Sequence, residues 1–90
     1  MTDQAAGTVG ITVRYFAAAR AAAGSDCEQL TVRSGATVAD LVDGLGGRSQ
    51  ELAHVLVRCT FLCDGVAVRD QAQPVRAGCT IDVLPPFAGG

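Results

Sequence analysis

Thr80-Ile81-Asp82-Val83-Leu84-Pro85-Pro86-Phe87-Ala88-Gly89-Gly90 closes the chain, and the way this stretch divides decides how the rest is read. Its first five residues alternate, Ile81 and Val83 to one side and Thr80, Asp82 and Leu84 to the other, which is the period of a strand with one buried face. The strand stops at two prolines. Pro85 removes a ladder donor and fixes its own φ, and Pro86 pushes Pro85 toward an extended conformation, so residues 85–90 are expected to leave the body as a short stiff arm. Gly89 and Gly90 carry no Cβ and fit a slot too narrow for any other residue. What such a slot can act on is the α-carboxylate of Gly90, a group that no side chain supplies. Adjacent terminal glycines arise by chance in about one chain in two hundred, so on their own they identify nothing.

The strand at the end needs partners, and the rest of the chain supplies them. Thr8 to Phe16 alternates with Val9, Ile11, Val13 and Tyr15 on one face, while Phe16 is a large apolar residue on the nominally wet side. Ala17 to Ala23, closed by Gly24, predicts one or two helical turns. Cys27 to Arg33 alternates again with Leu30 and Val32 inward, and the short connection predicts an antiparallel pair with the first strand. Thr37 reads as an N-cap with Asp40 in capping-box register. Val38, Leu41, Val42 and Leu45 then follow at the spacing of one apolar helix face, and Gly46-Gly47 reads as its C-cap pair. Leu52, Val55 and Leu56 fit either another helical turn or a run into the next strand. Arg58 to Asp64 is strand-like, Asp64-Gly65 signals a hairpin turn, and Val66 to Val68 is the short return strand. Gln71 to Gly78 is a connector. The expected architecture is α+β: a five-stranded mixed sheet with one main helix packed on one face and the two terminal strands paired in the centre. Residues 1–7 read as a loose leader, 8–84 as the domain and 85–90 as the tail.

Composition narrows the function. Ninety residues, 49% of them hydrophobic, suffice for one core. A net charge of −2 with no basic run disfavours nucleic acid, whose phosphates need a clustered positive face. No apolar stretch reaches the length of a membrane span and no signal peptide opens the chain, so a cytoplasmic protein is expected. All seven positive side chains are arginine, so the chain holds no ε-amine that an activated C-terminus could acylate. Cys27, Cys59, Cys63 and Cys79 lack the paired spacing of a zinc site and read as small buried hydrophobes, and the lone His54 has no second ligand nearby. No nucleophile–base set, phosphate loop or metal cluster stands out, so an enzyme acting alone is not expected.

Phe16 and Leu84 point away from the inferred core, and Leu62 does so by alternation. If the first and last strands are neighbours, these three form one exposed apolar patch at the root of the tail, a partner surface. Arg14 and Asp82 are placed to pair on the same face, as an exposed ion pair of little energetic consequence.

Val13-Arg14-Tyr15-Phe16-Ala17 with Arg20 and Gly24 resembles the opening of the MoaD/ThiS sulfur-carrier family. So do Thr37-Val38 with Asp40-Leu41, and Ala77-Gly78 leading through Ile81-Asp82-Val83 to Pro85-Pro86 and Gly89-Gly90. The resemblance spans nearly the whole chain, and Pro-Pro before Gly-Gly is similar to the branch of molybdopterin synthase small subunits. It implies a ubiquitin-like β-grasp fold and no permanently bound cofactor. It also implies an ATP-dependent adenylating partner that activates Gly90, a sulfur donor that makes it a thiocarboxylate, and a large catalytic subunit. The tail of Pro85, Pro86, Phe87, Ala88 and Gly89 would insert into that subunit to deliver sulfur to a pterin precursor. Ala21, Cys79, Phe87 and Ala88 depart from the family pattern and bear on partner identity, not on the chemistry of Gly90. Sulfur delivery to thiazole, cysteine or tRNA, a ubiquitin-like protein modifier, and a plain interaction module are the alternatives.

Overall fold

The computed structural model describes residues 7–86; residues 1–6 and the tail residues Phe87, Ala88, Gly89 and Gly90 lie outside the described residues. Eight elements follow one another: β1 (Thr8–Tyr15), α1 (Ala17–Ala23), β2 (Cys27–Arg33), α2 (Val38–Gly46), α3 (Gln50–Leu56), β3 (Thr60–Cys63), β4 (Val66–Ala67) and β5 (Thr80–Leu84). The five strands form one sheet in the order β2-β1-β5-β3-β4. The first and last strands lie side by side at its centre and run parallel, with Val13 opposite Ile81 and Tyr15 opposite Val83. β2 and β3 flank them, each antiparallel to its neighbour. The expected mixed sheet with central terminal strands is the one observed.

Alternation sorts every strand into a core side and an outer side. Val13, Ile81 and Val83 are 0% exposed, and Ile11, Tyr15 and Phe61 are nearly so. Each such side chain contributes about 1.5–3 kcal/mol by leaving water. Leu30 and Val32 point the same way but stay half-buried, because β2 is an edge strand whose flank only α2 covers. Val38, Leu41 and Leu45 of α2 and Leu52 and Leu56 of α3 close the core from above. The ambiguous run after the polar loop is thus a helix, α3. The Ser49 hydroxyl caps it by accepting from the Leu52 N–H at 3.0 Å.

α2 starts where the sequence places it, and all of its orphan donors are satisfied. Thr37 Oγ1 accepts from the Asp40 N–H at 3.1 Å while the Asp40 carboxylate accepts from the Thr37 N–H at 3.0 Å. The Val38 and Ala39 N–H groups donate to the carbonyls of Gln73 and Gln71. The connector before β5 is therefore tied to the helix start, and its Val75 is buried there, with its N–H donating to the Ala36 carbonyl. At the other end the helix runs through Gly46, and Gly47 caps it in a right-handed conformation (φ −71°), not as a left-handed glycine cap. Gly46 faces α3, where a Cβ would meet the Ala53 methyl in ordinary van der Waals contact at 3.5 Å.

Asp64 (φ +50°) and Gly65 (φ +85°) are both left-handed, the two-residue turn that matches strand twist and joins β3 to β4. β3 starts at Thr60 and β4 ends at Ala67, one or two residues inside the sequence-based limits. Ala17 also has positive φ (+51°), which costs an alanine about 1–2 kcal/mol. It turns the chain sharply from β1 into α1, while Phe16 keeps an extended backbone and donates its N–H to the Val83 carbonyl at 3.2 Å. Gly7, assigned to the leader by its sequence, is held to the body by the Ser34 N–H, which donates to its carbonyl at 2.8 Å.

One polar network bridges sheet and helices. The buried Tyr15 hydroxyl donates to Glu28 at 2.6 Å, and the Arg48 guanidinium donates to both Glu28 oxygens at 2.6 and 3.1 Å. The Arg48 hydrogen bonds, and after them that of Tyr15, hold the Glu28 carboxyl below its ordinary range despite partial burial. Burial, and then the Glu28 hydrogen bond, push the Tyr15 phenol well above its usual range.

Thr37→Ala is expected to lower stability in denaturant titration by about 1 kcal/mol with an unchanged m-value. Because the folded pKa of Glu28 is depressed, its contribution is fully present above the ordinary value of 4.5 and is lost as pH falls through the folded value. Glu28→Gln should accordingly show a shallower loss of stability on acidification than the wild-type chain.

Candidate functional site

The outer face of the sheet, opposite the helices, carries the residues expected to meet a partner. Register fixes their arrangement. Arg14 lies beside Asp82 across the parallel pair, and Asp82 lies opposite Leu62 across the antiparallel one. Two residues further toward the tail, Leu84 lies opposite Thr60, and Phe16 continues the outer side of β1. Phe16, Leu62 and Leu84 are all half-buried. The structure thus sets the three apolar residues around one ion pair at the end of the sheet from which the tail departs.

That ion pair differs from expectation in one respect. Arg14 Nε donates to Asp82 Oδ1 at 2.7 Å and Nη2 to Oδ2 at 3.1 Å, a two-pronged fork. The two partners are not equally wet: the Arg14 side chain is 52% exposed and that of Asp82 only 10%. Asp82 sits on the central strand between Arg14 and Leu62, so it lies on the outer side yet is covered. The hydrogen bond and charge of Asp82 raise the Arg14 pKa further. The Arg14 guanidinium carbon also stands 5.4 Å from the centre of the Phe16 ring, within cation–π range.

At the root of the tail Pro85 is still buried and Pro86 is the first exposed residue after β5. Pro85, assigned to the tail by its sequence, thus packs with the body. Phe87, Ala88, Gly89 and Gly90 fall outside the described residues.

The cysteine reading needs one correction. Cys63 and Cys79 are buried, and Cys59 is half-buried with its thiol against the Val55 carbonyl at 3.3 Å. Cys27 is exposed, because it opens an edge strand and alternation turns it to the outer side, opposite Arg14. Burial pushes the Cys59 thiol up to about 11 and raises Cys63, where the neighbouring Cys79 adds to the effect. His54 is exposed in the last turn of α3. Among the described residues no group of three or more His, Cys, Asp and Glu side chains is placed to hold a metal ion. No helix among them is long and apolar enough to cross a membrane.

The profile of the ThiS family matches residues 13–90, nearly the whole chain. The chain belongs to the ThiS family. Solved structures agree with the β-grasp architecture of this ThiS-family chain. Small archaeal modifier protein 1 from Haloferax volcanii is 25% identical over 88% of this chain and 99% of its own, with a TM-score of 0.76. A putative molybdopterin converting factor subunit 1 from Pyrococcus furiosus is likewise 25% identical over 88% and 99%, with a TM-score of 0.79. Subunit 1 of the Helicobacter pylori molybdopterin-converting factor, in a structure of its complex with subunit 2, shares the fold at 21% identity over 91% of this chain, all of its own and a TM-score of 0.65. No curated protein matches in sequence. The fold and family thus sit among sulfur carriers and ubiquitin-like modifiers.

Thiol titration of the folded chain should give one fast-reacting cysteine, lost in Cys27→Ser, with Cys63 and Cys79 reacting only on unfolding. A fast-reacting thiol at either buried position would contradict the packing described.

Proposed function

We propose that this chain is a sulfur carrier, the small subunit of molybdopterin synthase, with the Gly90 carboxylate as its working group. The observation that carries the reading is a ThiS-family match reaching residue 90 on a fold that gathers Phe16, Leu62 and Leu84 at the root of a Pro85-Pro86…Gly89-Gly90 tail. A carboxylate is a poor electrophile. A partner enzyme of the adenylating type joins it to AMP with release of pyrophosphate, and a sulfide equivalent from a donor then displaces AMP to leave a thiocarboxylate. The thiocarboxylate is a nucleophile on a slender leash, able to enter a large catalytic subunit and pass its sulfur to a pterin precursor. The molybdopterin branch is favoured by Pro85-Pro86 and by the likeness to the Pyrococcus and Helicobacter subunits, the latter in complex with a second subunit. In this reading Phe16, Leu62 and Leu84 dock on the large subunit and Pro85 to Gly89 line its entry, all in the cytoplasm.

Conjugation of Gly90 to target proteins is a second reading, favoured by the equal likeness to the archaeal modifier protein. Because the chain holds no lysine, such a modifier would not build chains on its own side chains.

Intact-mass measurement on the protein from its native host should reveal a species about 16 Da heavier than the plain chain, one oxygen replaced by sulfur. An added alanine after Gly90 should abolish it together with cofactor synthesis. Full cofactor synthesis from the untrimmed extended chain would sink the carrier reading. A ladder of conjugates, erased by deleting Gly90, would favour the modifier. Phe16→Asp should abolish binding to the large subunit without unfolding the chain.

A further inference from the structure

The outer face shows its cation and hides its anion. Arg14 and Asp82 are paired, but the Asp82 side chain is 10% exposed and that of Arg14 52%, so the charge a partner meets beside the apolar patch is guanidinium. A guanidinium carries five N–H donors. Two are engaged by Asp82, through Nε and Nη2, and the others find no acceptor among the described residues. In the free chain water satisfies them. A partner that covers Phe16 and Leu62 also reaches Arg14, because its guanidinium stands 5.4 Å from the Phe16 ring centre and is joined to Asp82, the cross-strand neighbour of Leu62. Burying those N–H groups against an apolar surface would leave charged donors unsatisfied, a cost that outweighs much of the gain from the three apolar side chains.

We infer that the protein surface docking on Phe16, Leu62 and Leu84 is not purely apolar but places a carboxylate side chain against the free edge of the Arg14 guanidinium. This rests on the docking reading above and names the chemistry that surface must carry. The preference for a carboxylate over a neutral carbonyl follows from charge. Asp82 cancels Arg14 only on the side it touches, and a covered guanidinium shared between two acidic groups has four of its five donors matched to charged acceptors. Phe16 lies against the same guanidinium, 5.4 Å from its ring centre. Arg14 is then a specificity element: surfaces with an apolar hollow but no acid beside it are rejected by the unmet donors, not by shape.

The test is calorimetric binding of the full chain to the molybdopterin synthase large subunit of the same organism, at low and at high salt. The wild type, Phe16→Asp, Arg14→Lys and the double variant Arg14→Leu/Asp82→Leu are compared. Replacing both members of the pair avoids stranding a buried carboxylate, and thermal unfolding verifies that the variant is folded. The double variant is expected to bind roughly tenfold or more weakly, with a flatter salt dependence, and Arg14→Lys to recover part of the loss. If Phe16→Asp abolishes binding while the double variant binds as tightly as wild type with the same salt dependence, the docking face stands and the acidic contact is wrong. If Phe16→Asp leaves binding intact, the docking reading itself fails.

Discussion

Backbone pairing between β1 and β5 is the constraint on which the structure depends. Two strands nearly seventy residues apart in the chain lie parallel at the centre of the sheet, and parallel neighbours cannot be joined by a tight turn. Everything between them therefore has to form the crossover: β2 turns back along β1, α2 and α3 cross the core face, and β3 returns antiparallel along β5. The pairing brings Val13, Ile81 and Val83 together as fully buried residues. It also decides where the chain is released. β5 is central, so its neighbours hold it up to Leu84 and the buried Pro85 before the tail begins.

The same pairing builds the opposite face. Residues two apart on β1 and β5 stand side by side, which is why Arg14 meets Asp82 and why Phe16 and Leu84 share the end of the sheet from which the tail leaves. Arg14, Asp82, Leu62 and Leu84 are strand residues whose positions follow from register, and Phe16 extends β1 by one residue in extended backbone. In the proposed carrier reading, a surface set by strand register would orient a partner relative to the root of the tail.

Much of this was legible because it rests on local rules. Alternation in Thr80–Leu84 and Thr8–Phe16, the Thr37/Asp40 capping box and the Asp64-Gly65 turn each have a short-range physical cause, and each is present. What alternation could not tell was depth. It placed Asp82 outward, correctly, but a side chain on a central strand is covered by its neighbours even on the outer side, whereas the inward Leu30 and Val32 on an edge strand are left more open than their pattern suggests. α3 was undecided because Leu52, Val55 and Leu56 are too few to separate a helix period from a strand run. The signal that settles it is Ser49, whose hydroxyl caps the helix by accepting from the Leu52 N–H. The Gly46-Gly47 pair divides between helix and cap: Gly46 is the last helical residue and Gly47 the cap, in a right-handed conformation that does not require glycine.

In the proposed carrier reading, the nucleophile content of the chain bears on the fate of Gly90, whatever compositional bias set it. An activated carboxylate at Gly90 would be consumed by any amine or thiolate within reach of its tether. The chain holds no lysine, the thiols of Cys63 and Cys79 are packed in the core, and that of Cys59 is held against a backbone carbonyl with its ionisation pushed up to about 11. Arginine takes every cationic position, and a guanidinium that stays protonated is no nucleophile. Cys27 is the exception, exposed beside Arg14 on the outer face. In the proposed docking, a partner seated on Phe16, Leu62 and Leu84 would reach Arg14, the cross-strand neighbour of that thiol, and so would crowd the one exposed cysteine among the described residues.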